Sequence, residues 1–186
     1  SSWQHHRVPA VPRGPEEPAT FESRRLAERD RDEPLGRPLA LAAKVDDQMR
    51  DGLLSVKASR DAGDADGLVA LTATDDMAWT GSPMLLCAAA EGLIAMKKVR
   101  EALQVLDRAE QAFPKAVRPK QLRGLALARS GETMKAQLVL GKLHAAGEIG
   151  PETLGILART WMDRYNQTGE RTFLLKSRDL YRQAFE

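Results

Sequence analysis

One cysteine, Cys87, stands in 186 residues, so neither an intrachain disulfide framework nor a multi-cysteine zinc or iron–sulfur site can be built. Aromatic residues make up only 5% of the chain, which leaves few platforms on which bases could stack. Neither sign of charge dominates: 28 Lys+Arg face 26 Asp+Glu, and the net charge of +2 is too small to coat nucleic acid by charge alone. No apolar run approaches the roughly 18–20 residues that a membrane-spanning helix needs, so no membrane partner is expected. No secretory signal opens at Ser1, and the expected compartment is the cytoplasm. Period-two runs of β-branched and aromatic residues are missing as well, which removes the case for strands.

What is present is helical. The apolar share of 42% suffices for a core, and 29% charged residues supply a solvated surface. Six of the ten prolines (9, 12, 15, 18, 34 and 38) stand at or before Pro38, and Ser1 to Pro18 shows no apolar period. Residues 1–36 are therefore expected to form a proline- and charge-rich arm, with a short helix capped at Thr20 and running to about Arg31. The remaining prolines punctuate helices. Ser82-Pro83 is a cap followed by a favoured first residue, Pro114 is a stop, and Pro119 and Pro151 stand near starts. Gly131 and Gly147 follow alanine- and leucine-rich runs, where helices should end. The pattern predicts helices near 38–60, 65–75, 83–96, 99–113, 117–130, 133–146, 151–166 and 171–185. Turns this short join antiparallel neighbours, giving an all-α domain of hairpins over 37–186.

The hairpins repeat. Ala102 and Ala136 are separated by one helical-repeat length of about 34 residues, each at the point where a second helix crosses its first and only a small side chain fits. In the preceding pair Leu68 or Val69 takes that position. Leu86, Ala90, Leu93, Ala102, Leu106, Ala109 and Pro114, then Gly124, Leu127, Ala136 and Leu140, make the chain resemble the tetratricopeptide repeat family, with Glu148 where proline is usual. That resemblance implies a right-handed solenoid of stacked hairpins. From Gly155 to Ser177 the last hairpin is longer by about ten residues than a standard repeat. The run from Glu152 to Tyr165, continued by Leu180-Tyr181-Arg182-Gln183-Ala184-Phe185-Glu186, is similar to the tetratricopeptide-type TRAFs-binding region of stress-activated mitogen-activated protein kinase kinase kinases and of standalone bacterial proteins. The resemblance covers 83–186 and implies an array that continues past Glu186 and serves regulation.

No catalytic constellation emerges. His5 and His6 are adjacent rather than four apart, so they cannot share a helix face as metal ligands. His144 suits a helix C-terminus, where partial positive charge meets the dipole. Cys87, between Leu86 and Ala88, reads as a small core residue. Asp61, Asp64 and Asp66 lack the spacing and terminal glutamate of a calcium loop; Asp64 or Asp66 reads as a helix cap. Trp161 and Tyr165, four apart, read as core of the long hairpin. No phosphate-cradling glycine loop occurs, and no cofactor or metal is implied.

The chain is thus expected to be non-enzymatic. The resemblance implies a groove lined by the first helix of each pair, and places Glu91, Arg118, Gln121, Arg129, Glu152 and Arg159 there. The three arginines can hold an acidic protein or peptide segment through charge-assisted hydrogen bonds. A homo-oligomer is compatible with this reading. The alternative is a regulatory segment of a longer enzyme, such as a kinase, acting on its own catalytic domain. RNA binding through Lys97-Lys98-Arg100 and Lys115-Arg118-Lys120-Arg123 ranks last, because aromatics are scarce beside these clusters.

Overall fold

A computed structural model describes the backbone of residues 21–186 and the side chains of 41–186. The chain divides into two compact units, Ser1–Ala42 and Ala43–Glu186. Of the arm expected over 1–36, residues 1–20, with His5 and His6, lie outside the described residues. Among the described residues there are nine helices and no strand: α1 (Phe21–Asp61), α2 (Ala65–Leu71), α3 (Met77–Thr80), α4 (Met84–Ala95), α5 (Val99–Ala112), α6 (Val117–Arg129), α7 (Thr133–Ala145), α8 (Pro151–Thr168) and α9 (Arg171–Phe185).

Three details depart from the sequence reading, the first being that the helix expected over 65–75 ends at Leu71. The helix expected to end near Arg31 and the one expected to begin near 38 are a single helix, α1, which passes through Pro34 and Pro38. An interior proline removes one hydrogen bond and costs about 3 kcal/mol, which is why the sequence argued for a break. Here the two missing donors deprive the carbonyls of Asp30 and Pro34 of their helical partners, while the ladder continues on either side. The single turn α3 was not expected; it buries Ala78 and Trp79 between the first two pairs.

The second unit consists of four hairpins: the end of α1 with α2, then α4 with α5, α6 with α7, and α8 with α9. Each first helix also touches the next first helix, α4 to α6 and α6 to α8, while α5 packs back on α6 and α7 on α8. This is a helical solenoid. Its core is one cluster from Val56 through Leu85, Leu93, Leu106 and Leu122 to Ala126, followed by a smaller one of Leu140, Leu143 and Leu157.

The turns inside the hairpins share one geometry. After α1, α4 and α6 a residue with positive φ closes the helix: Gly63 (φ 71°), Lys97 (φ 61°) and Gly131 (φ 85°), spaced by the same interval that separates Ala102 from Ala136. The next N–H then reaches back to a carbonyl five residues earlier: Asp64 to Ser59 at 2.8 Å, Lys98 to Leu93 at 2.8 Å, Glu132 to Leu127 at 2.9 Å. These bonds satisfy carbonyls that the helix end would leave open. Gly169 (φ 72°) closes α8 in the last hairpin. Asp64 caps α2 as its position suggested, accepting from the Gly67 N–H at 2.8 Å.

Close crossings hold the hairpins together. Ala102 and Ala136 are fully buried. Leu68, large at the corresponding position, is accommodated by a glycine opposite: a Cβ on Gly92 would lie 3.1 Å from its Cδ1. Gly124 does the same for Leu140, whose side-chain carbons would stand 2.6 Å from an added Cβ. The extra length of the last hairpin goes into α8, which has 18 residues against 12 in α4 and 13 in α6. Trp161 and Phe173 meet across it with ring centroids 5.4 Å apart, and the Arg164 guanidinium covers Phe173 at 4.1 Å.

Two helical glycines therefore respond oppositely to the same change. Gly124→Ala drives a methyl into the buried Leu140 and is expected to lower stability by about 1–2 kcal/mol despite the better helix former. Gly141→Ala meets no atom within 4 Å and is expected to raise stability by about 0.5–1 kcal/mol. Urea unfolding of both variants checks the pair; equal shifts contradict the crossing geometry.

Candidate functional site

The face formed by α4, α6 and α8 carries all six residues singled out from the sequence, and it sorts them into three groups. On α6 the residues Arg118, Gln121, Leu125 and Arg129 recur at helical spacing along one side. On α8 Glu152, Ile156, Arg159 and Asp163 do the same.

The first group is an ion-paired bridge. Arg118 donates to the Glu91 carboxylate from Nη2 at 2.6 Å and Nε at 3.2 Å, and its Nη1 pairs with Glu152. One guanidinium thus links three successive first helices. Burial works against its charge, but the hydrogen bonds it donates to Glu152 and Glu91 outweigh burial and raise its pKa above the ordinary arginine value. All three side chains stay at least one-third exposed, so the pairs are solvent-screened contacts of about 0.2–1 kcal/mol each.

The second group is Gln121, whose Nε2 donates to the Thr153 hydroxyl at 2.8 Å and joins α6 to α8. The third is Arg129 with Arg159, which share a concavity of about 440 Å³ with Leu125, Ala128, Gly155, Ile156 and Asp163. Arg159 donates from Nε to Asp163 at 3.0 Å; Arg129 has no carboxylate partner among the described residues. The three arginines do not act as one set. Arg118 is already neutralised by two carboxylates, Arg159 by one on its own helix, and Arg129 by none among the described residues.

Three contacts were not found from the sequence. Arg123 on α6 pairs with Asp107 at 2.5 Å and Glu110 at 2.6 Å on α5; the acidic residues three apart on α5 were the available signal. Lys120 donates to the Pro114 carbonyl at 2.6 Å, so with Arg118 and Arg123 the second basic cluster is largely committed to the fold. Arg108 on α5 donates to the Thr72 carbonyl at 3.1 Å and hydroxyl at 2.6 Å, tying α5 to the end of α2.

Lys97, marked in the sequence only as part of a basic cluster, has a backbone that its neighbourhood did not foretell. It is the one non-glycine residue with positive φ among those described, and such backbone costs an L-residue about 1–2 kcal/mol. Lys97, Lys98, Arg100 and Arg129 ring a second concavity of about 680 Å³, lined also by Ile94 and Glu101. Arg129 belongs to both concavities.

Cys87 is buried on α4, as its neighbours suggested. Burial pushes its thiol up from 9.0 to about 11; nearby Arg118 lowers it and Glu91 raises it, and burial prevails. No three His, Cys, Asp or Glu residues cluster as metal ligands among the described residues. No helix searched among them is long and apolar enough to cross a membrane.

Residues 96–186 match the family model described as Tetratricopeptide Repeats-Sensor. The matched stretch, just under half of the chain, spans α5 to α9. No curated protein and no solved structure matches the chain.

Two outcomes follow from this chemistry. Arg118→Ala is expected to cost about 1 kcal/mol in urea unfolding while leaving the helical circular-dichroism spectrum unchanged. Because the folded state holds the Cys87 proton more tightly than the unfolded chain, stability is full below about pH 9 and falls as pH rises toward about 11. That decline amounts to about 2–3 kcal/mol and is expected to flatten in Cys87→Ala. A wild-type slope that persists in the variant would assign it to other groups.

Proposed function

We propose that this protein is a non-catalytic protein–protein interaction module acting in the cytoplasm. In this reading the face of α4, α6 and α8 receives a segment of a partner protein. Tetratricopeptide-type repeats generally mediate protein–protein interaction, and the family they form is typically non-catalytic; both support the reading. The observation that carries it is the open Arg129–Arg159 concavity, where two cations flank Leu125 and Ile156. Such a site suits an acidic residue next to an apolar one, with carboxylates held by charge-assisted hydrogen bonds. Glu91 and Glu152 give the other end of the face a net negative charge around Arg118, so an acidic segment occupies the Arg129–Arg159 end. A regulatory or signalling role is part of the proposal, and the narrower likeness to the TRAFs-binding region rests on the α8–α9 sequence.

A pull-down compares the wild type with the Arg129→Ala/Arg159→Ala double variant and with Arg118→Ala, using mass spectrometry for identification. The expected outcome is a protein held by the wild type and by Arg118→Ala but lost by the double variant, with the thermal midpoint of the double variant unchanged. Equal capture by all three places the interaction elsewhere.

A further inference from the structure

Three of the four hairpin turns obey the same two local rules. The residue in left-handed conformation is glycine at Gly63, Gly131 and Gly169, and the residue after it is acidic at Asp64, Glu132 and Glu170. Both choices have physical reasons. Glycine has no Cβ to clash at positive φ, and a carboxylate complements the positive end of the helix that follows. The α4–α5 turn breaks both rules at once. Lys97 takes the left-handed position and Lys98 stands at the start of α5, where a cation is disfavoured.

The two lysines project beside Arg100 and Arg129, around the concavity of about 680 Å³. The one carboxylate in the lining, Glu101, lies 3.7 Å from Arg100. Lys97, Lys98 and Arg129 pair with no carboxylate among the described residues. A turn that departs twice from what stabilises its equivalents, each time with a cation, points to a ligand that compensates. The ligand must be anionic, since it faces four cations against one carboxylate and the amino end of a 14-residue helix. Arg129 also lines the α6–α8 concavity, so the basin continues the groove.

We infer that the basin at the α4–α5 turn is an anion-binding subsite for the carboxylate-rich end of an acidic protein segment, whose apolar part lies between Leu125 and Ile156. The inference rests on the groove reading proposed above. It adds a direction: the segment runs from Arg159 past Arg129 and ends in carboxylates at Lys97 and Lys98.

Lys97→Gly tests this cleanly, because it relieves the backbone and removes a cation without touching the groove helices. The probe is a short fluorescein-labelled peptide with a run of glutamates at one end and leucines at the other, titrated against the full chain by anisotropy at low salt. A peptide with glutamines in place of the glutamates is the control. Lys97→Gly is expected to raise the thermal midpoint yet weaken the glutamate peptide about three- to fivefold, the change a single exposed charge contact makes. Lys98→Glu is expected to weaken it further, and the glutamine peptide should be indifferent to both. A Lys97→Gly variant that binds the glutamate peptide as the wild type does, or that melts lower, overturns the subsite. So does a wild type that binds neither peptide. Should the subsite fail while Arg129→Ala/Arg159→Ala still weakens binding, the groove reading stands alone; should that variant also bind normally, both fall.

Discussion

How closely two helices can approach, within a hairpin and between neighbouring hairpins, governs much else in this solenoid. Leu140 meets Gly124 inside the α6–α7 hairpin, Leu68 of the first hairpin meets Gly92 of the second, and Ala102 and Ala136 are fully enclosed. The close contacts there limit how neighbouring helices can shift, and with that the distance between α4, α6 and α8. That distance is what lets a single arginine side chain span from Glu91 to Glu152. A methyl group inserted at Gly124 is thus felt first as overpacking and then as a change in the spacing of the groove helices.

The alternation of apolar residues, the glycine stops and the proline starts made α4 to α9 readable to within about two residues, because each boundary has a local chemical cause. The merger of two expected helices into α1 was not readable, since proline's local penalty argued for an end and only the continuing ladder on both sides opposes it. The repeat interval pointed to Ala102 and Ala136 but could not show how Leu68 fits the same position; the answer lies on another helix, at Gly92. Charges were the least legible. Helix-face geometry brought six polar residues to one side, yet whether an arginine there reaches a carboxylate on another helix could not be read, and this separates Arg118 from Arg129 and Arg159. Lys97 carried no signal in its own neighbourhood. Comparison with Gly63 and Gly131, one repeat to either side, would have exposed it.

Electrostatically the face has two halves of different kinds. Around Arg118 the charges answer one another and contribute cohesion between pairs. Around Arg129 and Arg159 cations outnumber carboxylates, with Asp163 the one acidic residue in the lining. Surface ion pairs of the first kind add little to stability individually, but each that crosses between hairpins resists their sliding. The second kind favours encounter with an oppositely charged partner and makes that encounter sensitive to salt.

Among the described residues each hairpin packs mainly on its immediate neighbours, α4 on α6 and α6 on α8. In mechanical terms such an array behaves as a row of coupled elements in which strain at one joint is passed along rather than absorbed by a common centre. A pull applied between α2 and α9 would be shared among the joints and would widen the groove before any hairpin opened. The Arg118 bridge spans two of these joints at once, making it the tie that sets how stiffly the groove resists being spread.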